Sequence, residues 1–287
     1  MNTALPRPAG LWQKVRDWLS KRAVATTRDV PDALWQAMLV EHPFLGALSA
    51  DEQAGLRRLC QHFLAHKEFH GAHGLQVTDA MALAVAAQAC LPLLHLGSST
   101  GSPGDPRALA WYDDFVGIVL HPGLALARRD IIDDDGIVHQ WQEELAGEAM
   151  PGGPVMLSWP DVAAAGESAA RGYNVVIHEF IHKMDLRDGA ADACPPLPPG
   201  FLGQTGARAA RQAWLAVLTP AWEAFYEQVI RAERFGQPEP WLDAYGAQSL
   251  DEFLAVACEA YFVNRAEFGQ HFPTLLTLFD AFFRPAR

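Results

Sequence analysis

Apolar residues recur at helical spacing through most of the chain and alternate with polar ones only in its middle. Leu11 to Lys21 sets Trp12, Val15, Trp18 and Leu19 on one side, which predicts a short peripheral helix laid on the core. Ser49 to Lys67 opens with Ser49-Ala-Asp-Glu52, a capping-box pattern, and continues with helical apolar spacing. Thr78 to Leu96 is apolar around most of its circumference, which predicts a central helix at least as far as Leu91, before Pro92. The middle changes period. Phe115 to Leu120 and Gly153 to Trp159 read as strands, and Ile131 to Val138 as strand, acidic turn, strand. Asp133, Asp134 and Asp135 precede a glycine but lack the closing glutamate of a calcium loop, so they read as a turn. Helical text then returns. Gly172 and Asn174 introduce one helix, Ala207 to Phe235 carries a stripe of Trp214, Leu218, Trp222 and Phe225, and Ser249 to Asn264 and Phe272 to Phe283 complete the set. Between them Asp192 to Gly203, rich in Pro and Gly, reads as an irregular rim or lid. Helices, a small sheet, then helices, with no internal repeat and no linker, predict an α+β fold, mainly helical with a small mixed β-sheet.

Composition narrows the function classes. The chain has 287 residues, half of them apolar, with 22 basic against 34 acidic side chains and a formal charge of −12. A core of useful size is available without disulfides. Direct nucleic-acid binding needs a surplus of Lys and Arg against phosphate, so none is expected. The longest apolar stretch, Ala80 to Leu96, is interrupted by Gln88, Pro92 and His95, so no membrane association is expected either. Cys60, Cys90, Cys194 and Cys258 have no paired spacing and read as reduced thiols, in keeping with a cytoplasmic protein.

The chemistry is concentrated in His178-Glu179-Phe180-Ile181-His182. Residues four apart share a helix face, so His178 and His182 can present imidazole nitrogens to one zinc ion. Glu179 lies about 100° round the helix from His178, placed to hold a zinc-activated water and take its proton. A third protein ligand is needed, and three carboxylates qualify. Asp188 would make a metzincin-like series with His178 and His182. Glu252 and Glu259, seven apart on a later helix, would both face the motif helix, although Ser249-Leu-Asp-Glu252 is also a capping box. His62, His66, His70 and His73 have helical metal-site spacing too, but read as a solvated helix face.

Four segments carry a resemblance: Phe63-Leu-Ala-His-Lys-Glu-Phe-His-Gly-Ala-His-Gly-Leu75, Ala84-Val-Ala-Ala-Gln-Ala-Cys-Leu91, His178-Glu-Phe-Ile-His-Lys-Met-Asp185 and Asp251-Glu-Phe-Leu-Ala-Val-Ala-Cys-Glu-Ala-Tyr-Phe262. Through them the chain resembles the Mlc titration factor A family of bacterial zinc peptidases, whose catalytic region is similar to that of anthrax lethal factor. The resemblance, which runs from about Leu34 to Phe262, implies a zincin-like metallopeptidase, and with no linker in the text one domain is expected over 1–287. Its parts would be a peripheral N-terminal helix (1–30), a helical part (31–110) and a catalytic part (111–287). It implies His178, His182 and Glu252 as ligands of one Zn2+ per chain, as in gluzincins, Glu179 as general base and Tyr245 as an oxyanion donor. Glu259 or Asp185 would orient these groups, since Val256 occupies the place of the usual gluzincin acid. The implied activity is hydrolysis of peptides, of aminopeptidase type. The implied partner is a transcriptional repressor of the Mlc type controlling sugar uptake, which makes a regulatory binding protein the alternative reading.

Overall fold

A computed structural model describes residues 27, 29–97, 102–132, 138–150 and 152–285, with 125–132 and 138–145 described as backbone. The helix predicted over Leu11 to Lys21 and the turn of Asp133 to Asp135 lie outside the described residues.

Among the described residues, three helices of ten or more residues lie in the chain up to Cys90. The first, α1 (Asp32–Glu41), is absent from the sequence reading and buries Trp35, Met38 and Leu39. The second, α2 (Ala50–His66), starts at Ser49 with its capping box closed in both directions. The third, α3 (Asp79–Cys90), begins where the Thr78 hydroxyl accepts from the Met81 amide, and Met81 to Cys90 are all buried. Its polar exception, Gln88, is fully buried with them.

Helical spacing misleads after α2. The histidine series predicts one continuous helix face, yet the helix stops at His66 and Glu68–Gly71 forms strand β1. Lys67 turns to extended backbone, and its Nζ donates to the carbonyls of Tyr112 and Phe115 at 2.6 Å each. That anchor, and pairing of β1 with β2 (Gly117–His121), outweighs local helix preference. The four histidines therefore fall on a helix, a strand and a turn. They form no metal-holding group of three among the described residues.

The remaining strands are β3 (Ala125–Ile132), β4 (Val138–Leu145), β5 (Gly147–Ala149) and β6 (Val155–Ser158). β3 and β4 pair as an antiparallel hairpin, as the strand–turn–strand text predicts, though longer at both ends. The other four form a mixed sheet in the order β1-β2-β6-β5, parallel except for the antiparallel β5. Ile118, Leu120, Val155 and Leu157 alternate onto one face of this sheet and are fully buried, the period-two pattern of a half-covered sheet. β6, the strand expected within Gly153 to Trp159, is interior to the sheet, and β5 is one of its two edge strands.

Helix α4 (Val175–Asp185) packs beside β5 and β6. Its Phe180 ring sits among Phe63, Tyr112 and Phe115 at centroid distances of 5.8, 4.9 and 5.8 Å. Burying a side chain of that size contributes about 1.5–3 kcal/mol and fixes the helix rotation. The long α5 (Ala207–Phe235) is followed by α6 (Leu250–Val263), α7 (Arg265–His271) and α8 (Pro273–Phe283). α6 is buried almost throughout and lies against α4. Among the described residues no helix is long and apolar enough to cross a membrane.

Candidate metal centre

The motif helix starts at a point fixed from several sides. Gly172 adopts φ 77°, and a Cβ there would come within 3.0 Å of the Ala260 Cβ and 3.3 Å of Trp241, so the approach to α6 needs glycine. Two residues on, Asn174 caps α4 by accepting the Ile177 amide proton at 2.9 Å.

Helix geometry then brings His178 and His182 together, with Nε2 atoms 3.1 Å apart. Glu252, in the first turn of α6, places Oε2 3.0 Å from His178 Nε2 and 3.1 Å from His182 Nε2. On its other side His178 donates from Nδ1 to Glu259 Oε1 at 2.7 Å, and Glu259 Oε2 accepts from the Asn174 amide. A histidine that gives its Nδ1 proton to a carboxylate turns the Nε2 lone pair toward the centre. Three electron-rich atoms at 3.0–3.1 Å repel one another unless a cation stands among them. Ligand bonds of about 2.0–2.2 Å at tetrahedral angles would separate such atoms by roughly 3.3 Å, so two imidazoles and a carboxylate fit zinc in size and donor type.

The titration of the group agrees. Burial pushes the His178 imidazole down, but hydrogen bonds to Glu252 and Glu259 outweigh it and hold it well above its ordinary value. Burial also works to raise Glu252, yet hydrogen bonds from His178 and His182 keep it well below the carboxylate range. Glu179 is different: it bonds to neither histidine, and burial pushes it up to about 7 against the pull of both imidazoles.

Glu179 also touches the sheet edge. A Cβ on Gly147 in β5 would lie 2.5 Å from Glu179 Oε1, so only glycine lets the edge strand pass this close. Ala146 and Gly147 form one wall of a cavity of about 230 Å³ that also exposes His178, Glu179, Tyr173, Asp243, Tyr245 and Glu259. The Tyr245 ring lies 5.9 Å from that of His178, on a short turn whose start is held by Asp243 Oδ1 accepting the Tyr245 amide proton. Behind β5, the fully buried Lys183 pairs with Asp114 at 2.9 Å and donates to the Met150 carbonyl at 2.8 Å. It pins the turn after the edge strand to the motif helix.

The carboxylates left open by the sequence are thus separated. Glu252 joins the two histidines in the one group of three potential metal ligands among the described residues. Glu259 stands behind His178. Asp188 lies exposed on the turn after α4, its Oδ1 accepting from the Ala190 amide, and takes no part, so the metzincin-like series does not assemble. Asp185 is buried, and its Oδ2 accepts from the Ala193 amide at 2.9 Å. It anchors the start of the 192–203 segment, where Trp214 Nε1 also donates to the Ala193 carbonyl. None of the described residues lining the metal-side cavity comes from that segment. Sequence reading missed Tyr173, whose phenol burial pushes up and whose ring lines the cavity. Its only local signal is its place between the left-handed Gly172 and the cap Asn174.

A family model described as Glucose-regulated metallo-peptidase M90 matches residues 15–284. Mlc titration factor A of Edwardsiella ictaluri is 32% identical over 243 residues, covering 84% of this chain and 84% of that protein. The protein of the same name from Cronobacter sakazakii is 29% identical over 249 residues, covering 87% and 84%. A third, from an Enterobacter species, is 29% identical over 256 residues, covering 88% and 87%. With a match over nearly its whole length and a metal-ready histidine–carboxylate group at its centre, this chain belongs to the glucose-regulated metallo-peptidase M90 family.

Proposed function

We propose that the chain is a zinc-dependent peptidase of aminopeptidase type, with His178, His182 and Glu252 holding one Zn2+. The observation that carries this reading is the convergence of the three ligand atoms within 3.1 Å of one another, beside the buried Glu179, which lines a cavity together with His178. Bound zinc would supply a water acidified to near neutrality and a polarised peptide carbonyl. Glu179 takes the water's proton and returns it to the departing amine, a role suited to a carboxyl that burial has brought near neutrality. Tyr245, across the cavity, donates its hydroxyl proton to the carbonyl oxygen as charge develops there. The substrate backbone extends the sheet along β5, whose outer edge has no strand partner among the described residues.

Two substitutions test the chemistry. Glu179→Ala removes the base and leaves the ligands, so hydrolysis of peptide substrates should disappear while zinc content stays at one per chain. Peptidase activity surviving that change would sink the mechanism. Tyr245→Phe should lower kcat by about 10²-fold with little change in KM, as loss of one oxyanion donor does. A fall in KM-side binding alone would place Tyr245 elsewhere in the cycle.

The relatives' name supports a second reading, in which the chain binds a repressor of the Mlc type in the cytoplasm. The formal charge of −12 suits a basic DNA-binding partner. Co-elution of Glu179→Ala with such a repressor, undiminished from wild type, separates binding from hydrolysis.

A further inference from the structure

Behind the metal-facing atoms a line of polar groups crosses the helical core, and its far end has no part in the chemistry above. Glu259 Oε2 accepts from the Asn174 amide, and Asn174 Nδ2 donates to Gln88 Oε1 at 2.7 Å. Gln88 Nε2 donates to the Ala84 carbonyl at 3.0 Å and to His42 Nε2 at 3.3 Å. His42 Nδ1 closes the line by donating to the Met38 carbonyl at 3.0 Å. The four side chains come from the end of α1, from α3, from the start of α4 and from α6. Gln88 and Asn174 are fully buried, Glu259 is 1% and His42 2% exposed, so solvent cannot replace a missing partner.

Every bond in this line has one direction. The Ala84 carbonyl can only accept, which fixes Gln88 with Nε2 on that side and Oε1 toward Asn174. The Ile177 amide can only donate, which fixes Asn174 with Oδ1 in the helix cap and Nδ2 toward Gln88. Gln88 therefore ties the Asn174 side chain to α3 and so steadies the backbone at the start of α4, whose Asn174 N–H holds the second oxygen of Glu259. A glutamate held by that oxygen presents the other to His178 Nδ1 at 2.7 Å. We propose that Gln88 is a positioning residue of the metal centre, fixing through Asn174 and Glu259 which nitrogen of His178 keeps its proton and where the other points. This assigns a role to the one buried amide in an otherwise apolar helix, and it rests on the reading of the centre as a zinc site.

The test measures zinc affinity by chelator competition. Wild type comes first: a chain that binds no zinc overturns the metal reading and this proposal with it. Gln88→Met then removes both amide groups at nearly constant shape. Asn174→Ser keeps a helix-capping oxygen and the amide to Glu259 but loses the donor to Gln88. Each should weaken zinc binding about 10-fold, the lower end for groups that orient a metal histidine. Because both cut the same bond, the double variant should also lose about 10-fold, not the product of two independent losses. Wild-type affinity in both singles, or losses that multiply, overturns the proposal. Ile118→Val, which deletes a buried methyl in β2, is the control for general loosening and should leave zinc affinity unchanged. An equal loss in that control also overturns it. Should Gln88→Met fail to fold, Asn174→Ser alone decides, since wild-type affinity there is incompatible with the chain of bonds. Cobalt-loaded protein gives a second readout: the visible bands of Asn174→Ser should shift from wild type, and those of Ile118→Val should not.

Discussion

The chain writes the same helix start twice and folds it two ways. At Ser49-Ala-Asp-Glu52 the Glu52 carboxylate returns to the cap, accepting from the Ser49 amide at 3.0 Å and its hydroxyl at 2.9 Å. The Glu52 amide donates to the Ser49 hydroxyl at 3.3 Å, closing the box. At Ser249-Leu-Asp-Glu252 only that last bond forms, at 3.4 Å, and the carboxylate turns away to His178 and His182. Both serines start their helices. The difference lies in what each carboxylate meets. Glu52 faces His95 at 3.0 Å through its other oxygen, which leaves Oε2 for the cap. Glu252 faces two imidazoles that share one point. A capping motif therefore fixes where a helix begins, while the destination of its glutamate is decided by tertiary partners.

Removing each glutamate in turn should give the largest difference between the two helix starts. Glu252→Ala should abolish stoichiometric zinc and, with it, hydrolysis, because two histidines alone do not hold the ion against chelator. Glu52→Ala should keep both and lose about 1 kcal/mol of stability, as a cap does. Metal analysis after dialysis and thermal unfolding give the two readings. Zinc retained by Glu252→Ala at one per chain would remove Glu252 from the ligand set.

This pair also shows what was legible beforehand. Helix spacing put His178, Glu179 and His182 on one helix, whereas Glu252 and Tyr245 were singled out by the resemblance alone; they lie on α6 and on the short turn before it, with the Tyr245 ring 5.9 Å from that of His178. Glu52 and Glu252 could not be told apart locally, since the serine, the spacing and the preceding aspartate are the same. Other misses have the same cause. β1 was hidden because its histidines continue helical spacing, and only the Lys67 anchor and the β2 partner reveal the break. β5 is three residues long, too short for a periodic signal, and its key residue, Gly147, matters through a distance to Glu179 that no local pattern encodes. Gln88 reads as an interruption of an apolar helix until Asn174 and His42 are seen on either side of it.

The serines give a finer test. Ser49→Ala and Ser249→Ala each remove a cap worth about 0.5–2 kcal/mol, and thermal unfolding should show losses of that order in both. Zinc affinity should separate them. In Ser249→Ala the first turn of α6 loosens around Glu252, so a several-fold weakening is expected, far short of the loss in Glu252→Ala. In Ser49→Ala affinity should not move. Equal affinities in the two variants would mean that packing of α6 alone positions Glu252.

The smallest effect separates charge from shape in the closed box. Burial works to raise the Glu52 carboxyl, but hydrogen bonds from Ser49, the charge of Arg284 and the His95 contact together hold it below its ordinary value of 4.5. An acid whose folded value is depressed stabilises the fold above its unfolded value, and that contribution disappears as pH falls through the folded one. Glu52→Gln keeps an acceptor for the Ser49 amide and removes only the charge. Starting at pH 5, with histidines already charged in the unfolded chain, wild type should exceed the variant by about 0.5 kcal/mol, a capping-scale difference. The gap should narrow steadily as pH drops below 4.5 and close once Glu52 is protonated in both states. A gap independent of pH would show that the box holds by geometry alone. The two glutamates would then differ not only in partner but in the use made of their charge.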